Sequence, residues 1–133
     1  MTMRKLPPYA DLLGVALAPA DSRASLMMPF GGQVLGRPGF LHGGAIAGLL
    51  ELAAVAALDE GIADLDPMPR IKPINMTIDF MRGGREAITY ARGTVGRLGQ
   101  RIANIDVVAW QDDEDRLIAR AHINFLLVTP RKG

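Results

Sequence analysis

Residues 45–58 read AIAGLLELAAVAAL, apolar at every position except Gly48 and Glu51. A helix with this pattern has no wet face and must be buried nearly all round. The spacing predicts a helix over about residues 44–60, with Gly61 as the residue just past its end. Its apolar run of about 14 residues is shorter than the roughly 20 needed to cross a bilayer. Glu51 is the anomaly, because taking a carboxylate out of water is costly without a partner or a purpose.

The flanking sequence limits what can cover such a helix. Val15/Leu17 and Ala24/Leu26/Met28 alternate with other positions on either side of the turn signal Pro19-Ala20-Asp21-Ser22, so residues 9–18 and 23–30 are expected to form two antiparallel strands. Residues 31–44 hold six glycines and one proline and read as a loop whose backbone can approach a ligand closely. No Ser, Thr, Asp or Asn stands at the expected helix start. Its first amides are therefore served by Gly or water, or they face a substrate oxygen.

Strand character returns at 71–82, 87–95, 101–111 and 117–128. Ile105/Val107/Ala109 there alternate with Asn104/Asp106/Val108, and Ile74/Met76/Ile78/Phe80 with Asn75/Thr77/Asp79. Gly83-Gly84, Arg97-Leu98-Gly99-Gln100 and the acidic run 112–115 supply turns. Two strands, a long helix and four strands with short connections give an α+β domain, one helix wrapped by an antiparallel sheet of about five to six strands. The 133 residues fit one domain.

Composition excludes several function classes. With 15 Lys+Arg against 14 Asp+Glu, the net charge of +1 gives no reason to expect a nucleic-acid or membrane-surface partner. The absence of Cys excludes disulfides and a thiolate nucleophile, and with only two His a metal site is not expected. Residues 1–11 carry Arg4 and Lys5 but no apolar core of a secretory signal, so a cytoplasmic protein is expected.

Leu41-His42-Gly43-Gly44, Glu51 nine positions after the His, and Met76-Thr77-Ile78-Asp79-Phe80-Met81-Arg82 together resemble the hotdog-fold acyl-CoA thioesterases of the PaaI-like and 4-hydroxybenzoyl-CoA thioesterase group. The likeness spans roughly residues 25–128. It implies a hotdog fold, hydrolysis of an acyl-CoA or aryl-CoA thioester, and no cofactor beyond the CoA of the substrate. By the same resemblance the Gly43 amide polarises the thioester carbonyl and Glu51 is the nucleophile or general base. His42 and Gly44 shape the substrate-binding turn. Two positions depart from the family pattern: Gly36 stands where Asn or Gln is usual, and Pro73 where Ser or Thr is often found. Gln33, three residues upstream of Gly36, is a candidate replacement amide. Arg97 and Arg101 flank a turn of the kind that lies near the CoA phosphates in related enzymes, and Arg131 and Lys132 could extend such a patch. Met27, Met28, Met76 and Met81 read as core or pocket filling. His122 reads as a satisfied sheet residue.

Gly43 and Glu51 lie eight residues apart on one helix, about 12 Å at 1.5 Å per residue. A reacting carbon must sit about 3 Å from the working atom of each, so one helix cannot easily serve both. Two antiparallel helices in a two-fold dimer bring Gly43 of one chain near Glu51 of the other. The family similarly forms homodimers that often pair into tetramers. Two other functions compete. One is a catalytically silent module that binds acyl-CoA or another apolar ligand. The other is a hydroxyacyl dehydratase, to which Gly36-Arg37-Pro38 is similar, although Gln33 stands where those enzymes carry their His.

Overall fold

The computed structural model of the chain describes residues 6–130. Arg4, Lys5, Arg131 and Lys132, noted above for their charge, lie outside the described residues. In chain order the elements are α1 (Tyr9–Leu13), β1 (Ala16–Leu17), β2 (Leu26–Met28), a 3-10 turn (Gly32–Val34), α2 (Gly43–Ile62), β3 (Arg70–Phe80), β4 (Thr89–Leu98), β5 (Ile102–Trp110) and β6 (Ala119–Val128). The strands form one six-stranded sheet in the order β1-β2-β4-β5-β6-β3, every neighbour antiparallel. One long helix against one wrapped antiparallel sheet is the α+β hotdog architecture.

Three local expectations are corrected. Tyr9–Leu13 is a helix and not a strand: Pro8 starts it, and Gly14, at φ +72°, ends it with an N–H shared between the Ala10 and Asp11 carbonyls. Proline before and glycine after override the short alternation that suggested a strand. Only Ala16–Leu17 remains to pair with Leu26–Met28. Gly61 does not end α2, which runs through it to Ile62 and finishes on Ala63 in right-handed geometry. The glycine serves packing instead, since a Cβ there would lie 3.3 Å from Val95 Cγ2. Nor is α2 buried all round. Leu49, Leu50, Ala53, Ala54 and Leu58 are fully covered, whereas Ala47, Glu51 and Val55 are only half-buried. These three recur at a spacing of four and form one stripe that neither the sheet nor α1 covers.

The position of α2 follows from two glycine contacts. A Cβ on Gly93 of β4 would stand 2.6 Å from the Ala53 carbonyl oxygen, and one on Gly48 would stand 2.8 Å from the Tyr9 ring. Helix backbone therefore approaches the strand directly on one side, and α1 closes over the helix on another. Below α2, the alternating side chains Ala103/Ile105/Val107/Ala109 and Ala119/Ala121/Ile123/Phe125/Leu127 are buried. The opposite sheet face is polar. Asn124 bridges Asn104 and Asn75, and His122 Nδ1 meets Asp106 Oδ1 at 2.8 Å, so His122 is a satisfied, solvent-facing sheet residue. At the far side of β4, Arg92 Nη1 donates to Glu114 Oε1 at 2.7 Å, a bond that holds the Glu114 carboxyl below its usual range.

β3 is left as an exposed edge paired only to β6, with a bulge between Pro73 and Asn75. Its apolar face lacks a cover: Met76 is 37% and Phe80 55% exposed, on the side that faces the core in β6.

The start of α2 is capped. His42 is the N-cap residue, extended at φ −68° and ψ 133°, and its Nδ1 accepts from the Gly44 N–H at 2.8 Å. An imidazole thus does the work that sequence rules assign to Ser, Thr, Asp or Asn.

Two stability outcomes follow from these contacts. Gly93→Ala should lower unfolding free energy by about 1–3 kcal/mol, because the added methyl meets a helix carbonyl that cannot turn aside. His42→Ala should cost about 1 kcal/mol through the lost cap. Urea denaturation of each variant measures both.

Candidate active site

The loop before α2 is folded tightly onto the helix start. Gly36 N–H donates to the Phe40 carbonyl at 2.9 Å, Phe40 N–H to the Arg37 carbonyl at 3.0 Å, and Gly39 takes φ +82°. The next residues are tied down from both sides, Leu41 N–H to the Gly84 carbonyl at 3.0 Å and His42 N–H to the Val34 carbonyl at 2.8 Å. The backbone path into Gly43 is therefore fixed by hydrogen bonds on each residue before it.

This leaves one amide unused. Gly44 N–H is taken by His42 Nδ1, and the Ala45 and Ile46 amides by the His42 carbonyl at 3.0 and 3.2 Å. Gly43 N–H has no acceptor among the described residues. It sits on an exposed glycine, with the Phe80 ring 3.7 Å from where a Cβ would be. Such a donor at a helix N-terminus is suited to an oxygen carrying negative charge.

Glu51 lies two turns further along the same helix, on the uncovered stripe between Ala47 and Val55. It has no ion-pair partner among the described residues. A carboxylate serving only structure on so apolar a helix would be expected to have one.

The other candidates separate into those near this locus and those away from it. Gly36 is in it, but as backbone: a Cβ there would lie 3.0 Å from His42 Cα and 3.1 Å from His42 N. The amide side chain usual at that position would thus need the start of α2 to give by a few tenths of an ångström. Gln33 does not supply one, because its own amide is folded against Gly31 and Gly14, where added Cβ atoms would come within 2.7 and 3.2 Å of it. Pro73 is on β3 at the bulge, in the half of the strand away from Phe80 and Gly43. Arg97 and Arg101 line a shallow hollow at the β4–β5 turn. This turn lies beyond Val95, which packs on Gly61, and so at the opposite end of α2 from Gly43 in the same chain.

Several residues of the locus were not evident in the sequence. Phe80 reaches Gly43 from β3, and Gly83 and Gly84, read as a mere turn, are the small residues on which Phe40 and Leu41 pack. The Phe40 ring also carries two guanidinium groups, Arg37 Cζ at 4.0 Å and Arg85 Cζ at 4.2 Å from its centroid. A pairing between residues 40 and 85 leaves no local signal.

Among the described residues no group of three or more His, Cys, Asp or Glu could hold a metal ion, and no helix is long and apolar enough to cross a membrane. What the locus offers is a free backbone donor, an unpaired carboxylate and an open apolar surface beside them. That combination can polarise a carbonyl and supply a base or nucleophile.

Comparison with known proteins agrees with this reading. A crystal structure of a Chromobacterium violaceum protein is similar at 28% identity and a TM-score of 0.69, covering 93% of this chain and 85% of that one. A thioesterase from Haemophilus influenzae is similar at 20% identity and a TM-score of 0.76, covering 91% and 82%. A Bacillus halodurans protein solved with CoA is similar at 17% identity and a TM-score of 0.69, covering 77% and 70%. No curated protein matched. The family model described as the thioesterase superfamily matches residues 38–118, more than half of the chain, a span that takes in Gly43, Glu51 and Phe80 but not Gly36 or Arg37. The chain belongs to the thioesterase superfamily, whose chemistry is the hydrolysis of thioesters.

Proposed function

We propose that this protein hydrolyses an acyl-CoA or aryl-CoA thioester to the free acid and CoA, in a site shared between two copies of the chain. The observation that carries the reading is the pairing of an unused Gly43 amide with an unpaired Glu51 on one uncovered helix stripe. A CoA ligand is supported by the Bacillus halodurans relative solved with it.

The reaction needs a donor on the carbonyl oxygen and a base or nucleophile on the carbonyl carbon. In the general-base course Glu51 takes a proton from water as the water oxygen bonds to the carbonyl carbon. The Gly43 N–H then stabilises the oxyanion. Collapse breaks the C–S bond, and the proton passes from Glu51 to the departing thiolate. In the nucleophilic course a Glu51 oxygen forms the new bond, the thiolate leaves, and water hydrolyses the resulting anhydride. Single turnover in heavy-oxygen water separates the two. Label retained in the protein marks an anhydride opened at the Glu51 carbonyl; label in the acid alone marks water addition at the acyl carbon, and a trapped acyl-Glu51 adduct then distinguishes an anhydride from direct attack.

Gly43 and Glu51 of one chain are about 12 Å apart along the helix and do not reach one carbon. The half-buried stripe of α2, together with the exposed Met76 and Phe80 of β3 and the unpaired β3 edge, leaves a surface that a second copy would cover. With the helices antiparallel about a two-fold axis, the Gly43 end of one chain faces the partner's Glu51, and the partner's Arg97 and Arg101 approach the same end. Such dimers could pair further into tetramers.

Glu51→Gln should abolish thiol release from an acyl-CoA panel while the fold is retained. Release that survives this change would overturn the role of Glu51, and tight acyl-CoA binding without release by the unaltered protein would favour a ligand-binding module instead. The shared site has its own test. Gly43→Pro removes the donor at the first helical position, where proline is tolerated, and His42 already has the extended geometry that precedes proline. Glu51→Ala and Gly43→Pro should each be inactive alone. Unfolded and refolded together they should regain about a quarter of wild-type activity, since half the dimers then hold one intact site of two. No recovery on mixing, or a monomer at micromolar concentration, would overturn the shared site.

A further inference from the structure

Arg37 and Arg85 come from loops 48 residues apart in sequence, yet both guanidinium groups stand over the ring of Phe40, at 4.0 and 4.2 Å from its centroid. This holds two positive charges closer than the roughly 10 Å over which 0.1 M salt screens them. Neither has a carboxylate within ion-pair distance among the described residues, and neither does the neighbouring Arg82. Glu86 is adjacent in sequence and pairs with none of them.

The pair is also held in place. The Arg85 backbone is pinned on both sides by the Gln111 side chain, whose Oε1 accepts the Arg85 N–H at 2.9 Å and whose Nε2 donates to the Arg85 carbonyl at 3.0 Å. The same Nε2 lies 3.1 Å from Thr89 Oγ1, which is fully buried, so the clamp is anchored in the core. Arg37 opens the tight turn closed by Phe40 N–H, and Phe40 itself rests on Gly83, where a Cβ would come 2.9 Å from the ring. Repelling cations fixed side by side with no acid between them are an arrangement suited to a bound anion. A guanidinium stacked on a ring keeps its N–H groups at its rim, where a phosphate can take two of them at once.

The location selects the anion. Phe40 stands three residues before Gly43, within about 11 Å of it along the chain. In a CoA thioester the arm between sulfur and the first phosphate is about as long as four extended residues, roughly 14 Å. A carbonyl on the Gly43 amide therefore leaves the phosphates within reach of the two arginines. We propose that Arg37 and Arg85, stacked on Phe40, are a phosphate clamp for the nucleotide half of the CoA thioester, supplied by the same chain that donates the Gly43 amide. The assignment rests on the thioesterase reading above and adds to it the residues that distinguish a CoA ester from a shorter thioester.

The experiment compares wild type with Arg37→Met, Arg85→Met and the double variant on one acyl group presented three ways: as the CoA ester, the dephospho-CoA ester and the N-acetylcysteamine thioester. For the double variant, KM for the CoA ester should rise about tenfold or more, with kcat little changed, as expected for the loss of charged hydrogen bonds. The N-acetylcysteamine thioester should be hydrolysed as by wild type, which also certifies the fold. If the dephospho ester shows the same rise, the clamp holds the pyrophosphate; if the rise disappears, it holds the 3′-phosphate. Equal losses on CoA and N-acetylcysteamine esters, or no change on either, would overturn the clamp. Should wild type hydrolyse none of the three, the thioesterase reading fails and calorimetry with CoA against pantetheine decides the clamp separately. CoA binding that the double variant loses sustains it. Equal CoA binding by both proteins, or none by wild type, overturns it.

Discussion

The direct approach of α2 backbone to β4, at Ala53 over Gly93, is the contact on which the arrangement depends. It lets the helix lie low enough for Leu49, Leu50, Ala53 and Ala54 to be fully covered by the sheet. The same placement turns Ala47, Glu51 and Val55 away from it. The face of the helix that carries the carboxylate is thus decided by a missing methyl group on a strand about 40 residues later in the chain. At the other end, the hydrogen bonds from Leu41 and His42 to Gly84 and Val34 determine where the helix starts and therefore which amide is left free.

The carboxylate and the free amide share one physical character. Each is a polar group without an intramolecular partner among the described residues, in a protein whose buried side-chain nitrogens and oxygens there are all hydrogen-bonded. The polar outer face of the sheet makes the contrast plain, since Asp106 and Asp79 there are partnered by His122 and Arg120, and Glu114 in the turn after β5 by Arg23. A free amide and an unpaired carboxylate along one stripe of a single apolar helix are more readily explained by a substrate than by folding.

Much of this could be read from the residues. The apolar run with one Glu specified a buried helix with something to explain, and period-two alternation located β3 and β5 to within a residue or two of their ends. What failed did so for identifiable reasons. The short α1 falls in a stretch that reads as a strand because Val15 and Leu17 fit an alternating pattern, whereas the proline and glycine at its ends carry the decisive information. Gly61 matched a helix stop, but its lack of a side chain is used for contact with Val95. The open stripe of α2 could not be read from hydrophobicity, because an apolar face covered by its own chain and one left for a second chain are identical in composition. The arginine pair on Phe40 depends on a contact between distant loops, which no spacing rule registers.

The departure at Gly36 bears most directly on mechanism. In this loop the residue before Arg37 packs on the backbone of His42, the residue that caps α2, so an Asn or Gln there would have to push the helix start away. A side-chain amide at that position therefore fits the tight turn only if the helix start gives by a few tenths of an ångström. The chain has the turn, and with it the hydrogen bonds that hold Phe40 under Arg37 and leave Gly43 unpaired. In the proposed mechanism, a site built this way gives up one side-chain contact near the nucleophilic water and gains a more rigid backbone donor. Its orientation of substrate then falls on the two ends of the ligand, the carbonyl at Gly43 and the charged end at the mouth of the loop. An enzyme so arranged would owe more of its rate to where it holds the thioester than to how it holds the water.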